Sequence, residues 1–257
     1  MAERLLAVDV GNTRIGLGVY GEGRWLARFR IRTVAERTPE EHGVLIRQLL
    51  EESGLSPRGL SRAILGSVVP PVTEALKELL GSWLGRAPLI VGPGVRTGLN
   101  LRVDHPSELG ADLVANGVAA YERFGGACIV VDFGTATSFT CVDAGGALVG
   151  VAIAPGLATA ADALAKRAAL LPEVTLQPPP RAMGRNTQEA MQSGLIFGYV
   201  GLVKELIARL RAELAPRAKV IATGDHAPVI TPLVEEIEAV DPWLTLEGLR
   251  LIAARNP

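Results

Sequence analysis

The sequence predicts an α/β protein built twice on one plan. Three observations carry that expectation: two apolar strand-type runs that each end in an acid, a glycine and a threonine; further strand-type runs joined by a glycine turn after each; and helical periodicity through the rest of both halves. Leu5-Leu6-Ala7-Val8 leads into Asp9-Val10-Gly11-Asn12-Thr13, and Cys128-Ile129-Val130-Val131 leads into Asp132-Phe133-Gly134-Thr135-Ala136-Thr137. An internal repeat of this kind outranks any single motif as a guide to architecture.

Taken in order, second strands are expected over residues 15–20 and 138–142, glycine turns at 21–23 and 143–146, and third strands over 24–31 and 147–154. A helix follows at about 39–53, with apolar Val44, Leu45, Leu49 and Leu50 at helical spacing, then a buried strand at 64–68, a helix at 72–80 and a short strand near 89–91. Residues 106–124 read as one helix joining the halves, with Ser107 as N-cap and Glu108 in the first turn. The second half continues with helices at 158–171 and 187–214 around a proline-rich loop, a strand at 219–223, a helix at 228–240 and a closing helix at 249–254. The long helix at 187–214 is apolar on most faces, with Asn186 or Thr187 as its cap, and reads as buried. The expected domains are 1–117 and 118–257, two mixed-sheet lobes, and ligands in such folds occupy the crevice between lobes.

Composition excludes several function classes. With 26 Lys+Arg against 27 Asp+Glu the net charge is −1, so nothing draws the chain toward nucleic acid or an anionic membrane. Hydrophobic residues at 48% and charged residues at 21% fit a folded globular chain. Only Cys128 and Cys141 are present, which excludes a disulfide scaffold and multi-cysteine zinc sites; reduced thiols facing each other across a hairpin, in a cytoplasmic protein, are expected. The apolar run Leu5-Leu6-Ala7-Val8 is too short for a signal peptide, and residues 144–161 are too interrupted by glycine and proline for a membrane span. His42, His105 and His226 are far apart and read as surface or loop residues, not a metal cage.

The repeated turn carries the chemistry. An aspartate at a strand end, followed by glycine and by hydroxyl or amide side chains, offers a carboxylate to a metal, and backbone N–H groups with short donors to phosphate oxygens; glycine permits the close approach. One such turn alone reads as an ordinary hairpin, whereas two in register favour a magnesium-bound triphosphate held from both sides. Gly16-Leu17-Gly18-Val19-Tyr20-Gly21 matches a dinucleotide fingerprint but runs into a strand, so the match is chance. No P-loop and no serine-hydrolase elbow occurs, and with four lysines among 26 basic residues a catalytic lysine is unattractive.

Asp9-Val10-Gly11-Asn12-Thr13, Gly110-Ala111-Asp112, Asp132-Phe133-Gly134-Thr135-Ala136-Thr137, Ile153-Ala154-Pro155-Gly156 and the run from Gly184-Arg185-Asn186-Thr187 to Gly194 resemble the successive motifs of type III pantothenate kinase, in family order over nearly the whole chain. The resemblance implies two ribonuclease-H-like lobes, as in sugar kinases, actin and the heat-shock ATPases, with an ATP cleft between them. It implies ATP-dependent phosphorylation of the primary hydroxyl of pantothenate, the first step toward coenzyme A, by a homodimer. Asp9, Val10, Gly11, Asn12, Thr13 and Arg14 would bind ATP phosphates together with Gly134 and Thr135. Asp9 would hold magnesium through water, and Asp132 a monovalent cation, potassium or ammonium. Gly110, Ala111, Asp112, Leu113 and Thr187 would line the pantothenate site, with Asp112 as catalytic base. Four positions depart from the family pattern: Leu113 replaces an arginine, Val103 a tyrosine, Asp225 the second glycine of a pair after Gly224, and Gly16 a basic residue. The alternatives are a non-enzymatic nucleotide-binding regulator on the same fold and a kinase of another small alcohol or sugar.

Overall fold

Two sheets, each with its own apolar core, organise residues 3–257, which the computed structural model describes. The first unit comprises the chain up to Gly98, Asp104–Ala119 and Thr245–Pro257; the second comprises Leu99–Val103 and Ala120–Leu244. The units are therefore interleaved along the chain, where the sequence suggests consecutive halves divided at 117/118. Two segments account for the difference: the closing helix, whose side chains pack on the first sheet, and residues 99–103, which pair with the second.

In the first unit β1 (Leu5–Val10), β2 (Arg14–Gly21) and β3 (Arg24–Arg32) form an antiparallel meander. β4 (Arg62–Ser67) and β5 (Leu89–Ile90) add in parallel, giving the order β3-β2-β1-β4-β5. The β2–β3 turn places Glu22 at φ 55° and Gly23 at φ 75°, two left-handed residues in succession, which matches the twist of the flanking strands. Leu6, Val8 and Val10 of the central strand face one core with Ile15, Leu17 and Val19. Ala7, on the opposite face, is equally buried, so β1 is apolar throughout because both its faces are covered.

Helices α1 (Pro39–Glu52) and α2 (Pro70–Leu84) cover the first of those faces with Ile46, Leu50, Val72, Leu76 and Leu80. α1 begins with a capping box, in which the Glu41 N–H donates to Thr38 Oγ1 and the Thr38 N–H to the Glu41 carboxylate. Its buried stripe is His42, Gly43, Ile46 and Leu50, and Val44, expected in the apolar face, is 66% exposed. His42 is fully buried, which corrects its reading as a surface residue. On the Asp9 face α7 (Leu244–Ala254) brings Leu246 against Gly16 and Gly18 and Leu249 against Gly66. It meets α3 (Ala111–Phe124) at Gly248, where a Cβ would stand 1.9 Å from the Ala115 carbonyl oxygen. α3 does not begin at Ser107: Pro106–Glu108 form a separate 3-10 turn, and Leu109, at ψ 126°, is extended and ends it.

The second unit repeats the plan. β7 (Cys128–Phe133), β8 (Ala136–Val142) and β9 (Ala147–Pro155) form the meander, with β10 (Lys219–Thr223) and β11 (Ala239–Val240) parallel beside β7. The order β9-β8-β7-β10-β11 is that of the first sheet, extended at β9 by β6 (Asn100–Leu101). β6 escapes sequence reading because two residues carry no periodicity. α4 (Leu157–Arg167), α5 (Thr187–Leu214) and the four-residue α6 (Ala227–Ile230) complete the unit. The expected helix at 228–240 is cut short at Ile230: Thr231–Leu233 form a 3-10 turn with Pro232 inside it, Val234 is extended at ψ 92°, and the chain then enters β11. α4 likewise stops at Arg167, and Leu170 beyond it is 92% exposed.

The two thiols do not face each other. Cys128 pairs with Val142 and Cys141 with Ile129, so in a pleated ladder their side chains leave opposite faces of the sheet. Among the described residues no helix is long and apolar enough to cross a membrane.

Candidate active site

In the first unit the turn after β1 is held from below. The Gly11 N–H donates to the Arg14 carbonyl at 3.0 Å, and Thr33, just past β3, donates its N–H to the Thr13 carbonyl at 3.0 Å and its hydroxyl to the Gly11 carbonyl at 2.7 Å. Three carbonyls of the turn thus point into protein hydrogen bonds, which reduces the negative potential the turn shows an anion. Asn12, Thr13 and Arg14 are exposed, whereas the Val10 side chain lies in the core, so Val10 has only its backbone to offer a phosphate.

Asp9 stands opposite Gly16 on β2 and Gly66 on β4. Its face of the sheet is the one that carries the head of α3. A Cβ at Gly66 would lie 3.5 Å from the Ala111 Cβ, and one at Gly16 would lie 3.8 Å from the Asp9 Cβ. Gly16, where the family has a basic residue, therefore leaves the Asp9 flank to Leu246.

At that helix head Gly110 admits the Asp112 carboxyl. A Cβ on Gly110 would sit 2.3 Å from Asp112 Oδ1, so the carboxyl folds back over residue 110 only because it is glycine. Burial pushes the Asp112 pKa up, and hydrogen bonds from the backbone N–H groups of Leu113 and of Asp112 itself partly oppose this. Ala111 and Leu113 are buried. The first unit thus gathers Asp9, Gly110, Ala111 and Asp112 on one face of its sheet.

The second unit has a matching turn. The Gly134 N–H donates to the Ala136 carbonyl at 3.0 Å, as Gly11 does to Arg14. Thr135 is exposed, and its carbonyl accepts from the Gly156 N–H at 3.1 Å and the Thr159 hydroxyl at 2.7 Å. Gly156 has no alternative, since a Cβ there would come within 2.4 Å of the Gly134 and Thr135 carbonyl oxygens. Asp132 lies opposite Ser138 and Thr223. Gly224, at φ 90°, is forced on two counts: a left-handed backbone, and a Cβ that would fall 2.6 Å from Asp132 Oδ1. The family's second glycine is Asp225 here, but the position that sterics demand is retained.

Thr187 opens α5 without capping it. Asn186 is the N-cap and accepts from the Glu189 N–H at 2.8 Å, while the Arg185 N–H donates to the Glu189 carboxylate at 3.0 Å. Thr187 is exposed and needed for no cap. Among the described residues no group of three or more His, Cys, Asp or Glu could cage a metal. One carboxylate beside a glycine turn is a donor set that suits magnesium, which keeps most of its waters and binds through a carboxylate plus substrate phosphates. Sequence reading missed Thr33, Thr159 and Tyr199. The first two act through hydroxyls on loop carbonyls distant in sequence, which leaves no local pattern to find.

A family model described as type III pantothenate kinase matches residues 5–209. The type III pantothenate kinase of Moorella thermoacetica is 47% identical over 98% of this chain and 99% of its own length. That of Dehalococcoides mccartyi strain 195 is 44% identical over 100% and 99%. Among solved structures, MreB 5 of Spiroplasma citri bound to AMPPNP shares the fold, at a TM-score of 0.57 and 9% identity over 98% of this chain and 96% of that one.

Proposed function

We infer the roles of individual residues from the fact that this chain belongs to the type III pantothenate kinase family. It is a kinase that uses ATP with a divalent cation to phosphorylate pantothenate in coenzyme A biosynthesis. In phosphoryl transfer the protein's work is to position the reactants, neutralise phosphate charge and accept the hydroxyl proton. We assign the proton to Asp112. The observation that carries this is its carboxyl, folded over Gly110 at the head of α3 on the Asp9 face of the first sheet.

Asp9, Val10, Gly11, Asn12, Thr13 and Arg14 bind phosphates in this proposal, with Gly134 and Thr135 as further ATP contacts. Asp9 holds magnesium through water, and the ion offsets phosphate charge. Asp132 serves a monovalent cation, potassium or ammonium; the forced glycine at 224 beside its carboxylate supports a site shaped for an ion. Gly110, Ala111, Asp112, Leu113 and Thr187 form the pantothenate side, where buried Leu113 contributes apolar surface or backbone only. We further propose a homodimer, as the family resemblance implies, working in the cytoplasm, where ATP is available.

The expected effect of Asp112→Asn is a loss of turnover of about 10²–10⁴-fold, the usual worth of a general base, with ATP affinity within about twofold of the parent. Assaying phosphopantothenate with and without potassium or ammonium in the same experiment reports on the cation. Unchanged turnover in Asp112→Asn would remove that residue from the mechanism. The regulator has only the Leu113 and Val103 departures behind it, and the family match favours the pantothenate kinase over it and over a kinase of another alcohol.

A further inference from the structure

Tyr199 lies on α5 with its ring buried beside Phe133, their centroids 6.5 Å apart. Its hydroxyl meets Thr137 Oγ1 and, at 2.9 Å, the carbonyl of Pro155. A phenol has one proton and a carbonyl only accepts, so Tyr199 donates to Pro155 and Thr137 donates to Tyr199. The direction of both bonds is fixed.

These two partners bracket one loop. Thr137 lies on β8, the strand that leaves the Gly134–Thr135 turn, and Pro155 ends β9 opposite Ala136. Pro155 is followed directly by Gly156, whose N–H holds the Thr135 carbonyl. Tyr199 and Thr137 are both buried, so no solvent replaces the bond between them if it is lost, whereas Pro155 at the other end of the hydrogen-bonded chain is exposed. A phenylalanine would fill the same apolar volume. The hydroxyl matters for what it ties together: the strand beyond the loop, and the residue before the glycine that pins the loop's carbonyl.

We propose that Tyr199 is a positioning residue for ATP, its hydroxyl holding Gly134 and Thr135 in place without touching the nucleotide. The proposal rests on the reading of that loop as an ATP contact, and the experiment separates the two. KM for ATP and for pantothenate, and kcat, are measured for Tyr199→Phe, Thr137→Val, their double variant and Thr135→Ala. Tyr199→Phe is expected to raise the ATP KM about tenfold, the size of one lost buried hydrogen bond. Its kcat and pantothenate KM stay within about twofold, because Thr187 lies roughly 18 Å away along α5 at 1.5 Å per residue. Thr137→Val is expected to act in the same direction, and the double variant to be less than additive, since both break one network.

An unchanged ATP KM in Tyr199→Phe, with a raised one in Thr135→Ala, overturns the positioning role and leaves the loop reading intact. No effect in Thr135→Ala overturns the loop reading and this proposal with it. Equal loss toward both substrates with loss of cooperative melting makes Tyr199 a packing residue only. If Tyr199→Phe does not fold, Thr137→Val decides by the same criterion.

Discussion

At Asp112 two effects oppose each other. Burial disfavours the carboxylate, the N–H groups at the start of α3 favour it, and burial is the larger, so the pKa lies above the ordinary aspartate value. A base acts only when ionised. With Asp112 as the proposed base, turnover is expected to fall as pH drops through this raised value, and the acid limb of kcat/KM to lie above where a solvated aspartate titrates. The sign for stability is the reverse of the usual carboxylate case. Because the folded pKa is raised, the neutral form is the better accommodated, and that contribution is lost as pH rises through the folded pKa. Asp112→Asn should gain in melting temperature relative to the parent across the same window. A constant difference at every pH would show that the carboxyl is not strained by burial.

At the level of elements, glycines in helices separate two kinds of constraint. Gly248 brings α7 against the backbone of α3, where a Cβ would overlap the Ala115 carbonyl, whereas a Cβ at Gly81 in α2 meets nothing within 4 Å. Gly248→Ala is expected to destabilise by about 1–3 kcal/mol through overpacking. It also shifts the helix that carries Asp112, so turnover should fall with stability. Gly81→Ala gains helix propensity without a clash and is expected to stabilise by about 0.5–1 kcal/mol. Thermal melts of the two variants check the contrast, and a stable Gly248→Ala would mean that α7 and α3 can part at little cost. Both glycines look alike in sequence, since what distinguishes them is a helix more than a hundred residues away.

For the whole molecule, the thiols report on global opening. Burial pushes both Cys128 and Cys141 up to about 12, and they leave opposite faces of the second sheet. Neither thiolate formation nor disulfide closure is available to the native fold. Labelling by a thiol reagent at neutral pH is expected only at the rate of unfolding, and oxidation of the native protein should leave its mass unchanged. Fast native labelling of either cysteine would show that the second core opens locally.

The repeat was legible because it is local: strand runs, glycine turns and an acid at each strand end sit within short windows, and both sheets contain the meander they imply. The start and end of α5 and the meanders could likewise be read from capping residues and alternation. Sequence also marked Asp9 and Asp132, since an acid two residues before a glycine at a strand end is a local pattern, whereas Asp112 was marked only through the family resemblance. Other features depended on chain segments far apart meeting in space. Placement of α7 with the first sheet, the burial of His42 and the exposure of Val44 are decided by which face another element covers. So is the hydroxyl chain through Tyr199: its partners, 44 and 62 residues away, become neighbours only when α5 packs on β8 and β9. Periodicity specifies which residues face inward together, while long-range packing determines what they face.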